Sequence, residues 1–381
     1  MERIFINSQR LTWCCADYGM TLDDLAAEVG IAVATLEKVA LGEVGLTFKQ
    51  LTNVAEYFGR GVLFFLEDEP VRAESVHTPA FRTLANQKPE LSVKVRGFIE
   101  RVEKQRAVFL ALKEELDDPD LPVFVPPDFP AADPRAAAAI ARKWLGLSDR
   151  NDFDSYRAAI EDKGVLVFRS NGYNGKWQIA KDSPILGFTL YDEVCPVIVV
   201  KKLQWETQQS FTLMHELGHL LLHRTSSIDD EADMNSHQGH ERDANLFAGL
   251  VLVPDEFLLR VNDNTRPADE DQYDDWLDWC RKAWGVSTEV VLRRLLDCGR
   301  LPRHNYVAYR AWRAALHIEQ KDGGSRAFRN REPKHIFGDP FVRTVLGALN
   351  GRYITLAKAS RYLDGLKITD LHQLERHYAG L

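Results

Sequence analysis

Residues 211–223, FTLMHELGHLLLH, place His215 and His219 four positions apart with Glu216 between them. In an α-helix this spacing puts both imidazoles on one face, one turn apart, where they can bind a single metal ion. Glu216 points to one side of the pair and could take a proton from a metal-activated water. The pattern therefore predicts a zinc-dependent hydrolytic centre, with His215 and His219 as ligands and Glu216 as general base.

A buried helix can also carry two histidines that only make ordinary hydrogen bonds, so the flanking residues matter. Here Leu213 and Met214 precede and enclose the first histidine, while Leu217 and Leu220 surround the second. Such a helix is mostly buried, and buried polar groups need partners. A metal ion would supply them, and we therefore favour the zinc site over satisfied core histidines.

A catalytic zinc ion needs a third protein ligand and an open position. Downstream of a polar stretch, residues 241–254, ERDANLFAGLVLVP, predict a helix that ends at Pro254. Glu241 is the predicted third ligand, and Ala244 and Ala248 are small enough to let this helix approach the motif helix closely. The alternative ligands in the same region are His223, His237, His240, Glu231 and Asp233.

The composition of the whole chain is that of an ordinary globular protein. Its 381 residues are 45% hydrophobic and 27% charged, which allows two or three domains. The five cysteines lack Cys-x-x-Cys spacing, so we expect reduced thiols in a cytoplasmic protein rather than disulfides or a cysteine zinc site. No apolar run approaches the roughly 20 residues that a membrane helix needs, so no membrane partner is expected.

The overall prediction is an α+β protein that is mainly helical. Short strands are predicted at 165–168, 185–189 and 196–200, before the motif helix. A small sheet followed by this helix is the layout of a minimal zincin. The predicted segments are a helix-turn-helix head at 1–68, a linker and long connecting helix at 69–130, the zincin domain at 131–260, a small helical subdomain at 261–320 and a basic helical tail at 321–381.

The head is predicted from residues 21–59, which form three short helices separated by Gly30 and Gly42, with Thr47 capping the third. This layout resembles the Xre type of phage-repressor DNA-binding domain, and the resemblance implies a DNA-binding helix. The second helix, however, offers only Lys38, and residues 21–60 hold three basic residues against six acidic ones. Because DNA binding is driven by positive charge, a role in dimerisation or partner docking is an alternative.

The C-terminal region that includes the predicted tail has an excess of positive charge. Residues 300–381 contain 15 Lys and Arg against 7 Asp and Glu, in a chain whose net charge is -8. Such a segment can face nucleic acid, an acidic partner or the acidic remainder of its own chain.

Three blocks together carry a family resemblance. GFTLYD at 187–192 before PVIVV, then FTLMHELGHLLLH, then Glu241 in the pattern E-x-x-A-N-x-F-A, resemble the ImmA/IrrE family of metallopeptidases over about residues 135 to 260. The resemblance implies that His215, His219 and Glu241 hold zinc and that Glu216 is the general base. A basic residue often precedes the Phe-Thr-Leu of this family, whereas Gln209 and Ser210 stand there in this chain.

Fused members of that family commonly regulate transcription by cutting a repressor, and some are considered antitoxins. The resemblance therefore implies a zinc endopeptidase whose protein substrate is a transcriptional repressor or a similar regulator. The alternative is an antitoxin-like binding protein that neutralises a cognate toxin or binds its operator without using the metal site for proteolysis.

Overall fold

The chain divides into two compact units, Met1–Glu103 and Lys104–Leu381. The computed structural model describes residues 2–71, 78–88, 91–117, 121–129, 133–172, 175–316 and 326–380. Residues 72–77 of the predicted linker and 321–325 of the predicted tail lie outside the described residues. No helix in the described ranges is long and apolar enough to cross a membrane.

The first unit is a bundle of short helices. Their bounds are α1 (Ser8–Asp17), α2 (Leu22–Val29), α3 (Val33–Ala40), α4 (Phe48–Tyr57), a 3₁₀ turn (Val62–Phe65), α5 (Pro79–Gln87) and α6 (Val93–Leu116), which contains the division between the units. The three helices predicted from 21–59 are confirmed. Gly30 ends α2 with φ of 66°, and the Thr47 side chain accepts a hydrogen bond from the Gln50 amide at the start of α4.

Two features of this unit differ from the prediction, namely an additional helix and the start of the connecting helix. Helix α1 was not predicted, yet Leu11, Cys14 and Cys15 form its buried stripe. Thiols pack there as small apolar groups, which a pattern of aliphatic residues does not reveal. The long connecting helix begins at Val93 rather than near residue 88.

The second unit surrounds a small sheet with helices. In chain order its remaining elements are α7 (Pro134–Leu145), α8 (Phe153–Glu161), β1 (Leu166–Arg169), β2 (Ile185–Leu190), β3 (Val197–Val200), α9 (Glu206–Gly218), a π-helical turn (His219–His223), β4 (Ser227–Asp230), α10 (Glu231–Met234), α11 (Gly239–Leu252), α12 (Asp255–Leu258), two 3₁₀ turns (Asp263–Thr265 and Glu270–Gln272), α13 (Tyr273–Trp276), α14 (Asp278–Trp284), α15 (Thr288–Asp297), α16 (Arg303–Ala315), a 3₁₀ segment (Arg326–Arg331), α17 (Glu332–Asn350), α18 (Leu356–Tyr362) and α19 (Ile368–Tyr378).

The described sheet has the order β1-β3-β2-β4. β1 pairs with β3 in parallel, and β2 pairs antiparallel with both β3 and β4. The three predicted strands are confirmed. The fourth lies where the sequence predicted only a polar loop, because Ser227–Asp230 has a single apolar residue, Ile228, and no alternation long enough to read.

Helix α9, which carries the metal-binding pattern, packs against α11 at very short range. Gly218 makes this possible, since a Cβ at that position would lie 3.2 Å from the Cα of Ala244 and 3.2 Å from a ring carbon of Phe247. Ala244 and Ala248 are fully buried at this contact, as their size predicted. The close approach brings Glu241, at the start of α11, towards the imidazoles of α9.

The C-terminal region is part of the second unit's core rather than a free basic extension. Phe337 and Phe341 on α17 contact Phe168 of β1, with ring centroids 5.7 and 5.8 Å apart. Arg329 in this region pairs with Glu332 and with Asp364, so acidic groups of the same segment neutralise part of its charge.

Candidate metal centre

His215 and His219 face each other at the C-terminal end of α9. Their Nε2 atoms lie 3.0 Å apart, and the two side chains are 0% and 1% exposed. His219 is the first residue of the π-helical turn, a local widening of the helix that often accompanies functional sites. The predicted placement of both imidazoles on one face is thus confirmed.

Glu241 reaches the same point from α11. Its Oε2 lies 3.3 Å from the Nε2 of His215 and 3.3 Å from the Nε2 of His219. A tetrahedral zinc ion with bonds of roughly 2.0–2.1 Å separates neighbouring ligand atoms by about 3.3 Å. The three predicted ligands therefore have the mutual spacing of a shared metal site.

Asp229 is a fourth ligand-type residue, and sequence reasoning missed it. Its Oδ2 lies 3.6 Å from the Nε2 of His219 and 3.8 Å from that of His215. One ligand atom from each of His215, His219, Asp229 and Glu241 falls within 4.8 Å of the others. The only signal in the sequence was a carboxylate a few residues beyond the motif helix, because nothing indicated that its segment is a buried strand.

Two buried carboxylate oxygens at this site, one on Glu241 and one on Glu216, lack ordinary hydrogen-bond donors. Oε1 of Glu216 has almost no exposed surface and no hydrogen-bond partner, and the equally buried Oε2 of Glu241 has only the two imidazole Nε2 atoms, at 3.3 Å, beside it. A buried acceptor without a partner is costly, and a carboxylate more so. A divalent cation next to the imidazole nitrogens meets the need of Glu241 directly, so the residues present fit a metal ion.

Side chains that contact the Nδ1 atoms of the two imidazoles fix the orientation of the rings. The Nδ1 of His215 lies 2.9 Å from the Oδ1 of Asn245, whose amide nitrogen donates to the carbonyls of Asp233 and Ser236. Because an amide oxygen only accepts, Nδ1 carries the proton and Nε2 is left free for a metal. The sequence places Asn245 one helical turn after Glu241 but does not indicate this contact.

His223 plays the corresponding part for the second imidazole. Its Nδ1 lies 3.0 Å from the Nδ1 of His219, and its ring stacks on His240 at 4.0 Å. Burial, reinforced by the charges of His219 and His240, lowers the pKa of His223 to about 4. A neutral His223 can accept the Nδ1 proton of His219, which frees the Nε2 of His219 as well.

The remaining alternative ligands do not join the cluster. The Nδ1 of His237 lies 3.0 Å from a guanidinium nitrogen of Arg293, and His240 contacts His223. Asp233 accepts a hydrogen bond from the Asp230 amide within the cap of α10, and Glu231 lines a neighbouring cavity.

Glu216 is fully buried beside the ligand cluster, between α9 and β2. The Thr189 hydroxyl donates to its Oε2 at 2.7 Å, and a Cβ at Gly187 would lie 2.5 Å from its Oε1. Burial and the neighbouring charge of Asp229 raise the pKa of Glu216 well above its usual value. With one oxygen held by Thr189 and the other unpartnered beside the metal-ligand cluster, this carboxyl group is placed to exchange a proton.

The electrostatics of the cluster favour a positive charge at its centre. Burial acts to lower the pKa of His215, but the carboxylates of Asp229 and Glu241 outweigh it and raise that pKa to about 9 in the metal-free protein. Burial likewise opposes ionisation of Glu241, yet His215 and His219 lower its pKa. The two carboxylates thus stabilise positive charge next to the imidazole Nε2 atoms, which is the charge that a metal ion would bring.

The same stretch of chain matches a known family. Residues 160–296 match the IrrE N-terminal-like domain. This IrrE-like segment runs from α8 into α15 and contains all four cluster residues together with Glu216. Neither the curated proteins nor the solved structures gave a significant match to the chain. The match supports the family resemblance of the metal-binding region and indicates a domain of metallopeptidase type.

Gly187 provides a test of how tightly Glu216 is packed. A Cβ at this position would also lie 2.8 Å from Cγ2 of Thr212 and 3.0 Å from the carbonyl oxygen of Val199. We expect Gly187→Ala to reduce the free energy of unfolding by about 1–3 kcal/mol, because the backbone of β3 and the side chains of α9 must move. Thermal or urea unfolding of the metal-free protein measures the change.

The matched control is Gly172→Ala, where the nearest atom to the added methyl group is a Lys202 side-chain carbon at 3.8 Å. Equal stability for the two variants would contradict the packing described for Gly187.

Proposed function

We propose that the chain is a zinc-dependent endopeptidase that cleaves a regulatory protein such as a transcriptional repressor. The observation that carries the proposal is the convergence of two imidazole nitrogens and the Glu241 carboxylate at mutual distances of 3.0–3.3 Å. Glu216 beside them supplies an acid–base group. The match of residues 160–296 to the IrrE N-terminal-like domain agrees with this chemistry.

His215, His219 and Glu241 would hold the ion. When bound, zinc supplies the Lewis acidity that polarises a water molecule and a peptide carbonyl. Glu216 accepts the proton from the attacking water at its unpartnered Oε1 and later delivers it to the leaving amine. The Thr189 hydroxyl keeps the other oxygen in place, so that the carboxylate presents the same atom in both transfers.

The choice of a regulatory protein as substrate rests on the resemblance to ImmA/IrrE proteins. It also rests on the combination, in one chain, of a predicted helix-turn-helix head with a metallopeptidase-like region. A cytoplasmic location follows from the same proposal. The antitoxin-like function remains the alternative, in which the metal site is not used for hydrolysis and the chain acts by binding a toxin.

The test is Glu216→Gln in the full-length, zinc-loaded chain. We expect a loss of about 10²- to 10⁴-fold in hydrolysis rate, because the amide cannot accept the proton, with zinc content unchanged. The assay uses a peptide library made from a bacterial proteome, with cleavage products identified by mass spectrometry.

The control is Glu206→Gln, which changes an exposed glutamate on the same helix. It should cleave like the unmodified chain. Equal cleavage by Glu216→Gln and Glu206→Gln would rule out Glu216 as the base, and no cleavage by the unmodified chain would favour the binding function.

We further propose that the first unit is a helix-turn-helix head that docks a protein rather than DNA. Helices α2 and α3 are joined through Gly30, and α3 exposes Ala34, Glu37 and Lys38. One cation beside a carboxylate provides little positive charge to release counterions from a phosphate backbone.

Reversing the charge of α3 tests this proposal. We expect Lys38→Glu to leave any binding of the full-length chain to duplex DNA unchanged at about 50 mM salt, as measured by fluorescence anisotropy. Lys49→Glu, the same charge change at an exposed position on α4, is the control. A loss of affinity specific to Lys38→Glu would make α3 a DNA-reading helix.

A further inference from the structure

The fourth member of the cluster, Asp229, has no role in the hydrolytic scheme above. It is 1% exposed, and its carboxylate accepts hydrogen bonds from the Ser227 hydroxyl at 3.1 Å to each oxygen. Ser227 thus orients the group, while Oδ2 lies 3.6–3.8 Å from the two metal-binding nitrogens. The carboxylate therefore faces the Nε2 atoms of His215 and His219 rather than solvent.

The pairing of β4 with β2 places Asp229 there. Asp229 stands directly opposite Gly187 in the antiparallel ladder, next to an irregularity between Ile185 and Gly187. Opposed residues of such a pair project from the same face of the sheet, and the face of Gly187 is the one that contacts Glu216. The missing side chain at Gly187 leaves room for the Glu216 carboxylate on the face of the sheet to which Asp229 also projects.

Most of the cluster is enclosed by the described residues around it. His215, Glu216, His219 and Asp229 are each at most 1% exposed, and only Glu241 retains appreciable exposure. A cavity of about 650 Å³ adjoins the site and is lined by Thr212 and Asn245, but its lining includes none of the four ligand-type side chains.

A catalytic zinc ion keeps one position open, whereas four protein ligands close the coordination of a structural one. Two imidazoles, Glu241 and Asp229 make four. We propose that Asp229 is a fourth metal ligand, so that the centre described here is the closed resting form of the peptidase, which opens when Asp229 leaves the ion during turnover. This inference rests on the proposed function and adds a regulatory element to the same site.

Strand β4, which carries Asp229, is the last strand on its side of the described sheet. An extended peptide that binds by strand addition needs an unpaired strand edge. One edge of β2 pairs with β3, and the other pairs with β4. The outer edge of β4 is therefore the edge left for a peptide on that side of the described sheet. For hydrolysis, Asp229 must leave the ion so that a coordination position opens.

The proposal is tested on the full-length chain by metal affinity and by access of a small zinc-binding probe. Asp229→Asn keeps the shape of the side chain but makes a poor ligand, and we expect zinc affinity to fall by about tenfold or more in competition with a chelator. Asp230→Asn is the matched control, because its carboxylate caps α10 instead. It should leave zinc affinity unchanged.

The second readout is binding of acetohydroxamate to the cobalt-substituted protein, followed by visible absorption. We expect Asp229→Asn to bind this probe about tenfold more tightly than the unmodified chain, because a coordination position has opened. Ser227→Ala removes the hydrogen bonds to Asp229 but keeps its carboxylate. Its affinity for the probe should therefore lie between that of Asp229→Asn and that of the unmodified chain.

Unchanged zinc affinity in Asp229→Asn, or equal hydroxamate binding with and without Asp229, would overturn the proposal. Neither readout requires hydrolysis. A failure of the peptidase proposal, seen with Glu216→Gln, is therefore distinguishable from a failure of this one.

Discussion

The second unit depends on one electrostatic constraint, the enclosure of three carboxylates and two imidazoles in a space that water barely reaches. Asp229 and Glu241 place carboxylate oxygens 3.3–3.8 Å from the Nε2 atoms of His215 and His219, and the Glu216 carboxyl group is buried beside them. Uncompensated charge in such a place costs several kcal/mol per group. A cation at the centre turns the same arrangement into a favourable one, because each ligand atom then has a partner of opposite charge.

This constraint explains local features that would otherwise be unfavourable. Gly218 weakens a helix interior, but it lets α11 approach α9 closely enough for Glu241 to reach both imidazoles. Gly187 weakens a strand, but it makes room for the Glu216 carboxylate. Behind the imidazoles, Asn245 and His223 hold the Nδ1 protons, so that both Nε2 atoms remain available as ligands.

The sequence predicted the features that depend on helical periodicity. His215, Glu216 and His219 follow from their spacing on one helix, and Glu241 follows from the helix that small residues allow to pack beside it. Asp229, Thr189 and Asn245 required the tertiary structure, because they meet the site across strand pairs and helix contacts that leave no short-range pattern. The positive charge of the C-terminal segment was equally compatible with an external acidic partner and with packing against the acidic remainder of the chain. The contacts of Phe337 and Phe341 with Phe168 of β1 show that the apolar face of this segment belongs to the core.

Metal binding by this cluster is tested most directly by a crystal structure of the zinc-loaded full-length chain with anomalous diffraction at the zinc edge. We expect a single strong peak between the Nε2 atoms of His215 and His219, within bonding distance of Glu241. A peak at His237 or His240 instead, or no peak while the two Nε2 atoms remain 3.0 Å apart, would contradict it.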